Sequence, residues 1–213
     1  MIYPEAAAGF LVMRAVQNPA SHPALEERKA ELEKELQERF AGQGRPALEA
    51  LPAMQAYQAY YRQYKKTYHV LLQLESVAIK GKPIPSVAGL VEAMFMAELK
   101  NGLLTAGHDW ETIQPPIQLK AAQGDERYIT LRGQETTLKP GDMFMADARG
   151  ILSSVLYGPD SRTQITPATR QALFTVYAPP GIGKEAVAQH LREIQSIVNL
   201  IAPQARVDHL EVV

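Results

Sequence analysis

Cysteine is absent from the 213 residues, which excludes disulfides, thiolate metal sites and a cysteine nucleophile, and suits a cytoplasmic protein. An excess of one charge is also missing. Lysine and arginine number 22 against 23 aspartates and glutamates, so no global positive field draws the chain to nucleic acid or membrane, and any RNA contact must come from a local patch. Long apolar runs are lacking too. The N-terminal MIYPEAAAGFLVMRAV is too short to span a bilayer, is broken by Arg14 and has no basic segment before it, so no membrane segment is expected and the chain reads as soluble and cytoplasmic.

Several chemistries are missing for want of a pattern. His22, His69, His108, His190 and His209 form no HxxxH pair, so no metal site is expected. Ser153, Ser154 and Ser161 stand in no GxSxG elbow, which removes the usual support for covalent catalysis. APPGIGKEA at 178–186 imitates a phosphate loop, but Ala178 stands where a glycine is needed and Glu185 where a hydroxyl would hold magnesium. Helix capping by a Gly-rich turn explains it better, and no nucleotide or other cofactor is expected.

What is present is a globular composition, 46% hydrophobic and 21% charged, enough to bury a sizeable core as a single domain over residues 1–213. A strand at Phe10–Val16 leads into a helical N-terminal part over 20–70, with a helix from Ser21 or Pro23 to Phe40 carrying Leu25, Leu32 and Leu36. Helices follow over Met54–Tyr68, Tyr68–Ile79 and Val87–Leu99, the last with Val87, Val91, Met94, Phe95 and Leu99 toward the core. Leu103–Asp109 reads as a short strand breaking into a turn at Gly107-His108-Asp109. Strands are expected over Ile117–Ala121, Tyr128–Leu131, Met143–Ala146, Ile151–Leu156 and Leu173–Tyr177, then a helix over Lys184–Ile201 and a strand over Arg206–Val213. The fold class is α/β of the α+β type, with mixed, largely antiparallel sheets flanked by helices. No repeat, low-complexity segment or long linker interrupts it.

The densest polar chemistry lies in SSVLYGPDSRTQITPATR at 153–170, where Gly158-Pro159 precedes Asp160, Ser161, Arg162 and Thr163. Such a turn either displays reactive groups or caps its own backbone. Met54–Tyr68 carries Tyr57, Tyr60, Tyr61, Tyr64 and Tyr68 beside Arg62, Lys65 and Lys66, which reads either as a core face or as a base-stacking, phosphate-neutralising patch. His108, beside Asp109, presents an imidazole that titrates near neutrality, and Glu92 falls off the apolar face of its helix.

Residues from about 80 to 180, with KGKPIPSVAGLVEAMFMAELKNGLLTAGHD, PGDMFMAD and ITPATRQAL in order, resemble the B three/four domain of the bacterial phenylalanyl-tRNA synthetase β-chain and the standalone proteins built from it. The resemblance implies mixed sheets and hydrolysis of the ester of wrongly charged tRNA, for standalone relatives in trans, including canavanine on arginine tRNA. Two synthetase editing groups are missing: Ala106 stands where that family has a histidine, and Thr175 where it has a glutamate. On this reading His108 and Thr163 orient the water, and Glu92, Asp109, Tyr157, Asp160, Ser161 and Arg162 line the amino-acid pocket, with Glu92 or Asp160 as counter-charge to a cationic substrate. Arg62, Lys65 and Lys66 contact the RNA, and the partner is the aminoacylated 3′ end of tRNA. The alternatives are a non-catalytic RNA- or aminoacyl-tRNA-binding module and a free amino-acid-binding protein.

Overall fold

A computed structural model describes residue 3 and residues 5–213; residues 1, 2 and 4 of the N-terminal run lie outside it. β1 (Ala7–Arg14) leads into α1 (Pro23–Arg39), α2 (Arg45–Glu49), α3 (Pro52–Gln63), α4 (His69–Ala78) and α5 (Gly89–Asn101). β2 (Thr105–Asp109) runs into a 3-10 turn at Trp110–Thr112. Then come β3 (Gln118–Ala121), β4 (Arg127–Ile129), β5 (Glu135–Thr137), β6 (Met143–Asp147), β7 (Gly150–Ser154), β8 (Gly158–Pro159) and β9 (Gln171–Ala178), before α6 (Lys184–Ile201) and β10 (Arg206–Val212).

The fold class is the one expected. β10, β1, β9 and β2 form one antiparallel sheet in that order, β3, β6, β7 and β8 form a second, and β4 pairs with β5 as a hairpin. α6 packs on β1 and α5 on β2. The sequence supplies the local reasons. His22 caps α1 by accepting the Ala24 N–H, Pro23 opens the helix, and Leu25, Leu32 and Leu36 recur on its buried side. The apolar stripe of α6 through Val187, Leu191, Ile194, Val198 and Ile201 is buried. That close seat needs Gly9 on β1, where a Cβ would collide with Val187 and come within 2.9 Å of Leu191 Cδ1.

Three expectations change. Gly107, His108 and Asp109 do not form a turn; they continue β2, paired with Phe174, Leu173 and Ala172 of β9, because the neighbouring strand satisfies their backbone. The tyrosine run is not one helix: α3 stops at Gln63, Lys65 turns the chain with φ +56°, and Tyr68, in extended backbone, is the N-cap of α4. Its rings nevertheless make core, with Tyr57 stacked on Tyr68 at 4.4 Å. The hydroxyls of Tyr57, Tyr61 and Tyr68 donate to the carbonyls of Tyr177, Val155 and Gly102. Finally, α5 starts at Gly89 rather than Val87, which is 58% exposed. Its core face is Leu90, Ala93, Met96, Ala97 and Leu99, so the stripe through Val91, Met94 and Phe95 is only half-buried.

Candidate functional site

That half-buried stripe lines a cleft of about 770 Å³. α5 contributes Val91, Met94, Phe95 and, one turn after Met94, Glu98; α4 adds His69 and Gln73. Thr105 and Ala106 of β2 and Tyr177 of β9 form the floor, and the chain from Ser154 to Pro159 forms the facing wall. The β4–β5 hairpin overhangs it through Leu131, Arg132 and Gln134. Gly107 lets β2 approach α5 here, since a Cβ would stand 2.6 Å from Met94 Sδ.

Of the residues singled out from sequence, Tyr157 and Lys66 line this cleft, with Lys66 Nζ 4.6 Å from the centre of the Tyr157 ring. Arg62 and Lys65 are exposed but do not line it. The others lie away from the lining, each for a physical reason. Glu92 is buried, accepting the Val87 N–H at 2.7 Å and pairing with buried Lys29 at 3.0 Å, so it ties α5 to α1 and is no counter-charge in the cleft. Asp109 caps the 3-10 turn through the Glu111 N–H and takes the Thr169 hydroxyl at 2.7 Å. Arg162 forks onto Asp147 at 3.0 and 3.1 Å and donates to the Thr112 carbonyl, a staple between loops. Ser161 pairs its backbone with Ile129.

His108, Thr163 and Asp160 do converge, but in the interior and outside the cleft lining, and His108 is 0% exposed. Arg162 Nε lies 3.5 Å from Asp160 Oδ2, and Asp160 Oδ1 accepts the Thr163 hydroxyl. With that proton committed, Thr163 Oγ1 accepts from His108 Nδ1 at 2.8 Å. His108 Nε2 then accepts from Ser153 at 3.2 Å, and Ser153 Oγ meets the Tyr177 hydroxyl at 2.5 Å. This buried chain joins β2, β7, β9 and the loop after β8. Burial, reinforced by the Arg162 charge, pushes the His108 imidazole down to about 3, so it is neutral at physiological pH. A flexible, titrating imidazole is therefore not what this residue supplies.

The cleft holds groups that sequence reasoning passed over. Glu98 is 8% exposed and accepts the Thr105 N–H at 2.7 Å, and burial pushes its carboxyl up to about 8. His69 is the imidazole on the cleft wall, and Arg132 joins Lys66 as an exposed cation at its edge. Glu98 had a signal: an acid four residues after Met94 and three after Phe95 interrupts an apolar stripe. Arg132 had none, because only the hairpin fold brings it across. Ala106 and Thr175, the two departures from the synthetase pattern, stand opposite each other in the β2–β9 register.

Comparison with known proteins adds the lineage. The B3/4 domain family model matches residues 53–198, more than half of the chain and more than the stretch that carries the resemblance in sequence. The phenylalanine–tRNA ligase beta subunit of Mycoplasma genitalium is 32% identical over 69 residues, covering 32% of this chain and 9% of that protein. The crystal structure of an N-terminal fragment of the phenylalanyl-tRNA synthetase beta-subunit from Pyrococcus horikoshii aligns with a TM-score of 0.51 at 12% identity. That alignment covers 99% of this chain and 50% of the fragment, and it bears on the fold alone. The chain thus spans half or less of each relative.

Proposed function

Because this chain belongs to the B3/4 domain family, we propose that it is an editing hydrolase acting in trans, cleaving the ester between a wrong amino acid and tRNA. The observation that carries the reading is the cleft itself: an apolar wall of Val91, Met94 and Phe95, polar groups on the floor, and Lys66 and Arg132 at the edge. An amino-acid side chain suits the wall, and the phosphates of an RNA 3′ end suit the two cations.

The chemistry asks little of the protein. An aminoacyl ester is already activated, so holding it, placing a water and stabilising the oxyanion are enough, with help from the neighbouring ribose hydroxyl. Such a second site is needed because a synthetase pocket rejects a near-isostere only by roughly 10- to 200-fold. With Ala106 and Thr175 in place of the synthetase's histidine and glutamate, that family's editing arrangement does not transfer. A cationic substrate such as canavanine on arginine tRNA finds neither Glu92 nor Asp160 in the cleft, so neither supplies its counter-charge.

The test is deacylation of a panel of mischarged tRNAs, canavanyl and other cationic pairs included. Loss of at least one noncognate ester is expected, and stability of all of them would overturn the proposal. Salt-sensitive binding without turnover would instead identify a non-catalytic aminoacyl-tRNA-binding module.

A further inference from the structure

Glu98 is the carboxyl on the cleft wall, and the hydrolytic reading above leaves it without a task. Its surroundings define its state. Oε1 takes the Thr105 N–H at 2.7 Å, its one hydrogen bond among the described residues, which leaves Oε2 to the cleft. The groups packed around it supply neither a proton nor a compensating charge. From α3 and the turn after it, Tyr57, Tyr61 and Tyr68 give their protons to backbone carbonyls. On α6, His190 bridges Asn101 and the Thr105 hydroxyl and is held neutral by burial. Lys100, two residues on, turns away to Glu193 at 2.8 Å, and Lys66 covers the Tyr157 ring. His69 of α4, Tyr177 of β9 and the exposed Arg132 of the β4–β5 hairpin are the remaining titratable groups of the cleft lining.

A buried carboxyl with one backbone donor and no paired cation is stable as the acid, because the ion would lose its hydration without replacement. As the acid it presents an O–H to the cleft, which a carboxylate cannot do. We propose that Glu98 works as a neutral carboxylic acid, donating from Oε2 to the carbonyl oxygen of the bound ester as that oxygen becomes negative.

The proposal rests on the deacylase reading and deepens it. Water adds to the carbonyl carbon, the C=O pair moves onto oxygen, and that oxyanion is held by the Glu98 O–H. Collapse re-forms the C=O and breaks the bond to the ribose oxygen. One proton of the water ends on the ribose hydroxyl, the other in solvent, and Glu98 keeps its own. A donor that stays protonated at neutral pH needs no partner acid, which accounts for a hydrolytic cleft lacking the synthetase's histidine and glutamate.

The experiment compares wild type, Glu98→Gln and Glu98→Leu on a mischarged tRNA that the wild type hydrolyses, from pH 6 to 9 after subtraction of the uncatalysed rate. The wild-type kcat should be flat at low pH and fall as Glu98 ionises, approaching about tenfold per unit above pH 8. Glu98→Gln keeps an N–H donor that does not titrate, so it should stay within about threefold of wild type at pH 7 and lose the alkaline fall. Glu98→Leu should lose roughly 100-fold or more in kcat with KM little changed.

Glutamine as inactive as leucine, a loss confined to KM, or a rate that rises through pH 8 would each overturn the proposal. The last two would point instead to a cation-binding carboxylate and to a general base. Infrared difference spectra of ligand-free wild type against Glu98→Gln give a readout free of turnover. A protonated-carboxyl C=O band present at pH 7 and gone by pH 10 is expected, and its absence at pH 7 overturns the neutral state even if Glu98→Leu does not fold. No turnover by the wild type on any ester would sink the deacylase reading and Glu98's role in it, while the infrared band separately decides the neutral state.

Discussion

Tyr60 shows how a single hydroxyl can hold a buried acid. It donates to Asp142 Oδ1 at 2.8 Å and accepts the Met143 N–H at 2.7 Å, and burial pushes the Asp142 carboxyl up to about 7. Tyr60→Phe removes both contacts while keeping the ring, so urea denaturation should show a loss of about 1–3 kcal/mol. His108 makes the complementary case. Its imidazole is held near 3 in the fold and titrates at its ordinary 6.5 when unfolded, so the unfolded chain binds the extra proton between those values. Its share of stability is whole above pH 6.5 and is lost as pH falls toward 3, by about 1.4 kcal/mol per unit. His108→Gln can still hydrogen-bond but cannot titrate, so its denaturation midpoint should fall less steeply between pH 6.5 and 4 than that of the wild type.

At the scale of elements, the Lys29–Glu92 pair fastens α1 to α5. Both partners are almost fully buried, so removing one leaves the other unpaired. Lys29→Met should cost about 3–5 kcal/mol by chemical denaturation, while leaving the kcat of the remaining folded protein unchanged because neither residue lines the cleft. Much at this scale was legible in the sequence. α1 and α6 run almost where their caps and apolar spacing put them, since a long amphipathic helix carries its own start and stop signals. The phase of α5 was not legible: its first turn is fixed by packing of Gly89 against Pro19 and Ile201, and starting the helix two residues early turned Val91, Met94 and Phe95 toward the core instead of the cleft.

Across the whole molecule, acid and alkaline stability are set by different groups. His108 and His190, both pushed down to about 3, weaken the fold as pH falls below 6.5. Glu98 and Asp142, pushed up to about 8 and 7, hold protons that the unfolded chain has already lost, so they weaken it as pH rises from their ordinary values of 4.5 and 3.8. Glu98→Gln should therefore gain stability over wild type at pH 9 and show little difference at pH 4. RNA binding also belongs to this scale, because the net charge of −1 attracts nothing from afar. Lys66→Ala and Arg132→Ala should each flatten the salt dependence of tRNA affinity by about 0.7–1 in log–log slope, measured by filter binding, if each meets one phosphate.

Periodicity, caps and motif order are local or collinear properties, so the residues alone determined most element types, the apolar faces of α1 and α6 and the B3/4 lineage, while leaving the tyrosine run open between core and RNA contact. Only the tertiary structure decided which polar groups meet. His108 finds Thr163 and Ser153 at separations of 55 and 45 residues, and Glu98 and Arg132 border one cleft from a helix and a hairpin that share no local pattern. Strand pairing and helix phase make those encounters, and both follow from how all the elements pack together, which no single stretch encodes.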